Sequence, residues 1–251
     1  MSEKVADPII LSRYSRVSTV VEDRTNDIHV TDLVGCLRKA WFSKKYPIPL
    51  SKRDIEVLWF GKKAHEFIQL AHPDLGDFYE LPLEYYTPSG TRVIGSSDEV
   101  LLKNNGDSYM VVDKKFVKTI PSSIYPHHRR QILFYAVMIE ETAGLKVDEA
   151  GILYISLWGH SNTRSFSEKF LSIRLDDALK RRAKEDLDRR ADTLREHLEK
   201  NIPPPPMFTE ECEWCKYYSW CLMDYFEKPG RKSVVRDLME KLQSNITDFM
   251  G

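Results

Sequence analysis

The sequence predicts an α/β protein: a mixed sheet flanked by helices, with a helical lobe and a cysteine-rich region near the C-terminus. Three observations carry this. The stretches "FYELPLEYY", "TRVIGSSDEVLL" and "SYMVVDKKFV" are rich in β-branched and aromatic residues and are separated by turn signals. Segments with helical periodicity stand on both sides of them. Three of the four cysteines fall within "CEWCKYYSWC", after the last long helix.

Residues 1–30 are polar and weakly patterned, and read as an N-terminal arm. "TDLVGCLRKAWFSKKY" turns helical, with Thr31 or Asp32 as the cap. "PIPL" interrupts it, and "SKRDIEVLWFGKKAHEFIQLA" predicts a second helix. Between the second and third strand segments, Asn105-Gly106 within "NNGD" suits a two-residue hairpin turn. "HHRRQILFYAVMIEETAG" is a helix expected to stop near Gly144. "EAGILYISLW" and "FSEKFLSIRL" are further strands. A long charged helix follows, with the apolar stripe Leu187, Ala191, Leu194 and Leu198, and the prolines at 203–206 end it. Its "RRAKEDLDRR" segment reads as a solvated face. The expected organisation is an arm over 1–30, one domain over 31–222 and a helical tail over 223–251.

With a net charge of −1 and 42% hydrophobic residues, the chain can build a core and is not a strongly basic polyanion binder. The positive charge is local. From 101 to 130, six lysines and arginines face two aspartates, which leaves a surplus of four. Lys62 and Lys63 flank His65, and Trp59 and Phe60 beside them could stack on bases. Apolar runs such as "ILFYAVMI" are too short to span a bilayer, and "MSEKVADPII" lacks the apolar stretch of a secretory signal. The expectation is a cytoplasmic protein with no membrane partner.

In that compartment disulfides are disfavoured. Cys212, Cys215 and Cys221 form C-x2-C-x5-C, and Cys36 lies 176 residues before Cys212. No cysteine is left over, so the pattern predicts one four-thiolate metal site tying the two ends of the fold together. Four thiolates suit zinc and iron–sulfur clusters alike, and the spacing does not choose between them.

"VVDKKF" at 111–116 places an acid and two lysines in a strand of buried character. Such groups are costly to bury unless paired or ligated. If Asn105-Gly106 is a true two-residue loop, paired positions sum to 211 and Asp98 faces Asp113. Lys115 lies on the same strand face as Asp113. Two close carboxylates repel one another, and a hard divalent cation resolves the repulsion. A structural Asp–Lys pair is the plainer alternative. Gln131 and Tyr135 are four residues apart on a helix and share a face.

The ordered set His65, Asp98 in "GSSD", Asp113-x-Lys115 and Gln131-x3-Tyr135 resembles the PD-(D/E)xK nuclease superfamily in its RecB-like branch. One cysteine before these motifs and C-x2-C-x5-C after them resemble the CRISPR-associated RecB-like exonucleases that carry an iron–sulfur cluster. The resemblance spans about residues 31–222. Asp113 stands where many relatives have glutamate, and no proline precedes Asp98. The resemblance implies a restriction-endonuclease-like core. It assigns His65, Asp98 and Asp113 as ligands of Mn2+ or Mg2+, Lys115 as the residue that activates water, and Gln131 and Tyr135 as residues that position the DNA strand or support the catalytic lysine. It favours a [4Fe-4S] cluster on Cys36, Cys212, Cys215 and Cys221, with [2Fe-2S] as the other cluster form. It further implies exonuclease action on single-stranded DNA or DNA ends, 5′ to 3′, in processing precursor DNA before CRISPR integration, with an integrase complex as partner. Homo-oligomerisation stays open. So do two other readings: a RecB-type DNA repair nuclease, and a zinc-stapled nucleic-acid-binding module without activity.

Overall fold

The computed structural model describes residues 27–71, 78–103, 106–156 and 167–226. The strands are β1 (Ile28–His29), β2 (Phe78–Tyr86), β3 (Arg92–Leu102), β4 (Tyr109–Phe116), β5 (Val147–Ser156) and β6 (Ser167–Arg174). The helices are α1 (Val30–Leu33), α2 (Leu37–Lys45), α3 (Lys52–Ala71), α4 (Pro126–Ala143), α5 (Asp177–Glu199) and α6 (Tyr218–Phe226), with a 3-10 turn at Glu210–Trp214. The six strands form one mixed sheet in the order β1-β3-β4-β5-β6, and β2 also pairs with β3. β4 and β5 run parallel, joined by the crossover helix α4, while β2–β3, β3–β4 and β5–β6 are antiparallel.

α4 and α5 cover one face of this sheet. Val100, Val111, Ala150, Ile152 and Tyr154 meet Ile132, Phe134 and Ile139 of α4 in a single core, joined by Leu187, Ala191 and Leu194 of α5. Pro126 at the start of α4 needs no intrahelical N–H there. Gly144, with φ +66°, caps its C-terminus, and its N–H donates to Glu140 O.

Two sequence expectations change here. The segment beginning at Thr31 is two helices, because the chain breaks between Leu33 and Leu37. The first helix is capped from His29, whose N–H donates to Asp32 Oδ2 at 2.9 Å, so Asp32 serves from inside the helix. The charged face of α5 is not wholly solvated. Arg190 is buried and donates through its guanidinium to the carbonyls of Leu33 and Gly35. Arg130 of α4 donates to the Val34 carbonyl and pairs with Asp186 at 3.1 Å. The break that precedes Cys36 therefore has its carbonyls satisfied by two arginines, which would otherwise be unmet helix-end acceptors.

Ile28 and His29, assigned to the arm from sequence, pair in parallel with Val93 and Ile94 of β3. β2 occupies one edge of β3 along 92–100. β1 and β4 therefore share the other edge, β1 at Val93–Ile94 and β4 at Glu99–Leu102. Asp98 sits in the fork between them.

Candidate active site

The register expected from the hairpin holds for four pairs, Leu102↔Tyr109 through Glu99↔Val112. Asn105 of the turn itself lies outside the described residues. The ladder then stops one residue short of an Asp98–Asp113 pair. Beyond that point, among the described residues, β4 pairs only with β5, Asp113 beside Ile152 and Lys115 beside Tyr154. The β2 side of Asp98 is interrupted too. Glu80, its cross-strand neighbour by register, has φ +46°, a conformation costly for a residue with a Cβ. The pleat changes phase at this point: Val93 and the Cα of Gly95 face the α4 core before it, and Val100 does after it.

Splaying the strands exposes a backbone donor, and Asp98 uses it. Its Oδ2 accepts from the Lys114 N–H at 2.8 Å. Asp113 is 1% exposed, and Lys115 Nζ lies 2.7 Å from its Oδ2. That contact is a close ion pair whose geometry falls short of a well-aligned hydrogen bond, and Asp113 Oδ2 has no other donor among the described residues. Burial pushes the Asp113 carboxyl up to about 7, with Asp98 adding to the rise and Lys115 opposing it. A buried carboxyl met only by one poorly aligned ammonium among the described residues, and next to a second carboxylate, is a fitting donor set for a hard cation. Among the described residues no three His, Cys, Asp or Glu side chains converge tightly enough to hold an ion alone. Mg2+ is commonly held by one or two carboxylates, with water and phosphate completing the shell. His65 lies on α3, and its side chain is outside the described residues.

Gln131 and Tyr135 come together on α4. Gln131 Nε2 donates to Tyr135 Oη at 3.1 Å, both side chains being buried. The ring of Tyr135 lies over Gly95, three residues before Asp98.

Other residues reach this centre without a sequence signal. Tyr154, beside Lys115 in the sheet, meets His128 Nδ1 through its hydroxyl at 2.9 Å. Burial, then His127 and Lys115, hold the His128 imidazole down to about 3. His127 is lowered as well, first by burial, with Glu211 opposing and Lys115 assisting. A histidine pair at the start of a helix is unremarkable in sequence; its place next to Lys115 follows only from the β4–α4–β5 crossover. Arg130, counted among the candidate phosphate contacts, is engaged with Asp186 and Val34. Trp59 and Phe60 stay partly exposed on α3, and Phe60 meets the ring of Phe116 edge-on at 6.3 Å.

The four cysteines are free thiols lining one narrow, apolar-walled cavity of about 30 Å3 between α2 and the 3-10 turn. Cys221 Sγ accepts from Arg38 Nε at 3.1 Å. Burial raises the Cys221 thiol and the Arg38 guanidinium pulls it back. Arg38 is itself buried, paired with Asp224 and donating to Pro204 O at 2.7 Å, so it pins the cysteine segment to α2.

A family profile of the PD-(D/E)XK nuclease superfamily matches residues 10–222. The chain belongs to that superfamily. Its members are nucleases that use divalent metals such as Mg2+ or Mn2+, which agrees with the paired carboxylates of Asp98 and Asp113. No curated protein matches the chain. The nuclease fold recurs in the crystal structure of SSO0001, with a TM-score of 0.55 and 18% identity over 85% of this chain and 96% of that one. It recurs in a protein of Eubacterium rectale named as an exonuclease, with a TM-score of 0.51 and 12% identity over 87% and 94%. At these identities the likeness concerns the fold.

Proposed function

We propose that this nuclease is a Mn2+- or Mg2+-dependent exonuclease of single-stranded DNA or DNA ends, acting 5′ to 3′ in the cytoplasm to process precursor DNA before CRISPR integration, with an integrase complex as partner. The observation that supports catalysis most directly is the buried Asp113 carboxyl at the strand fork, with Asp98 beside it and the Lys115 ammonium as the one donor near its Oδ2 among the described residues. The DNA, polarity and CRISPR parts of the reading rest on the resemblance of the ordered motifs and the cysteine frame.

In this reading Asp98, Asp113 and His65 hold the metal, which when bound supplies Lewis acidity to the scissile phosphate and lowers the pKa of a ligated water. Asp98 is fixed for this by the Lys114 N–H. Lys115 orients the attacking water and offsets the negative charge that grows on the phosphate. Gln131 and Tyr135, locked to one another, position the strand. The thiols of Cys36, Cys212, Cys215 and Cys221 hold a [4Fe-4S] cluster. The cluster part of the reading rests on the resemblance; the four thiols line one cavity, but among the described residues no three of them converge as metal ligands do, so holding a cluster requires the cavity to widen and the sulfurs to draw together.

The test is anaerobic purification with iron and zinc analysis, followed by a Mn2+-dependent assay on end-labelled single-stranded DNA beside Asp113→Ala. Iron at four per chain and cleavage lost in the variant are expected. A variant as active as the parent would overturn the catalytic assignment, and a colourless zinc protein would overturn the cluster.

A further inference from the structure

A second cavity, of about 380 Å3, lies between α2, the start of α4 and the 3-10 turn of the cysteine segment. We propose that it is a subsite for one unpaired nucleotide of a single strand, whose base stacks against His127 and Trp214 beside the catalytic cleft. The proposal takes its ligand class from the nuclease reading above.

Aromatic placement is the first argument. Trp214 lines the cavity and is 85% exposed, an unusual state for the largest apolar side chain. His127 lines it too, and its ring is stacked on Tyr125 at 5.8 Å with 5° between the planes. Sequence-tolerant binding of single strands uses such faces, because every base has one.

Continuity with the catalytic centre is the second. His127 and His128 rings lie 4.2 Å apart. His128 meets the Tyr154 hydroxyl, and Tyr154 neighbours Lys115 in the sheet. A strand whose phosphate reaches Lys115 therefore passes close to this wall, and the subsite takes one of its neighbouring bases.

Charge and size decide which part of the nucleotide enters. Asp32 and Glu211 stand on the cavity wall, Asp32 paired with Lys44 at 2.9 Å and Glu211 with His127 at 3.5 Å. Two carboxylates make a poor cradle for phosphate, so the neutral base is the part that fits. Exposed Lys39 is the cation available for the phosphate. The volume falls in the range of small-ligand sites, roughly 300–1,000 Å3. The cysteine segment then contributes Trp214 directly to the substrate path.

The full-length protein is titrated, with divalent metal chelated, into a single-stranded oligonucleotide carrying one 2-aminopurine, and cleavage kinetics are measured separately with Mn2+. Base stacking of about 1–3 kcal/mol corresponds to at least about a fivefold rise in Kd and KM for Trp214→Ala and for His127→Ala. The loss falls on KM rather than kcat, and Trp214→Phe restores much of it. Unchanged Kd and KM in both alanine variants, with the parent still cleaving, would overturn the subsite and leave the nuclease reading intact. Loss of 2-aminopurine quenching in the variants of a parent that does not cleave would uphold the subsite and sink the nuclease reading instead.

Discussion

Lys114 and Lys115 are adjacent on β4, and each meets a carboxylate, yet the two pairs differ in kind. On the face away from α4, Lys114 is hydrogen-bonded to Glu99, and both side chains are almost fully buried. On the α4 face, Lys115 touches Asp113 without an aligned hydrogen bond, and it is a quarter exposed while Asp113 is not. One pair is closed on itself. The other leaves a buried oxygen open toward a second acid, Asp98. The difference comes from the fork: Glu99 is the last β3 residue still paired with β4, and Asp98 is the first one released. A closed buried pair holds structure, and an open one costs stability but can take a ligand.

The sharpest way to break this comparison is to remove each partner in turn. Asp113→Asn keeps the shape and deletes the charge. Cleavage should fall by about 10²–10³-fold, the scale of losing a preorganised electrostatic group at a reacting centre. Metal-free stability at pH 8, followed by urea unfolding, should stay level or rise, because the buried charge no longer has to be carried. A variant that loses both activity and stability would mean that Asp113 is structural. Lys114→Ala should do the reverse. Stranding Glu99 costs about 3–5 kcal/mol in unfolding free energy, while the folded fraction still cleaves. Replacing Glu99 and Lys114 together by leucine and methionine should recover most of that loss.

Acid and base act in opposite directions within the open site, because Asp113 and His128 titrate with opposite consequences. The Asp113 carboxyl is raised from 3.8 to about 7, so its stabilising contribution is complete below about pH 4 and is lost as pH climbs through 7. His128 is lowered from 6.5 to about 3, so its contribution is present above pH 6.5 and is lost as pH falls toward 3. In the shared window the two slopes oppose, each at most about 1.4 kcal/mol per pH unit. Metal-free Asp113→Asn should therefore lose stability only toward acid, and His128→Asn only toward neutral pH. Parallel pH profiles for the two variants, measured by chemical denaturation, would refute both assignments. Mn2+ should stabilise the parent increasingly as pH rises through 7, since the cation needs the ionised carboxyl.

The sequence carried the elements well where a local signal existed. The Gly144 stop, the α5 stripe and the four hairpin pairs summing to 211 are all readable from side-chain pattern and turn chemistry. It also named Asp98, Asp113 and Lys115, which the fold brings to one place. What it missed are consequences of chain crossing. The end of the ladder at Asp98 depends on β1 taking the same edge of β3 from more than 60 residues upstream. The burial of Arg190 depends on an interrupted helix whose carbonyls need a donor. The nearness of His127 and His128 to Lys115 depends on a parallel crossover. No window along the chain contains these facts.

Two glycines give the smallest effects and test the same two faces. A Cβ at Gly95 would meet Tyr135 Cε1 and Val30 Cγ2, both at 3.0 Å. Neither neighbour yields easily: Tyr135 is buried and bonded to Gln131, and Val30 is 1% exposed in α1. A Cβ at Gly151 would meet the Phe170 ring at 2.4 Å, a worse overlap on paper. Phe170, however, is 43% exposed on an edge strand and can swing aside, leaving the Leu171 carbonyl at 3.1 Å as the stiffer contact. The softness of the neighbour should outweigh the depth of the overlap. Gly95→Ala should cost about 1–3 kcal/mol, the usual range for overpacking a filled site, and should lower cleavage by moving Tyr135. Gly151→Ala should cost less and leave cleavage per folded molecule unchanged. If Gly151→Ala proves the more damaging, then Phe170 is held in place, and the face away from α4 is packed as tightly as the catalytic one.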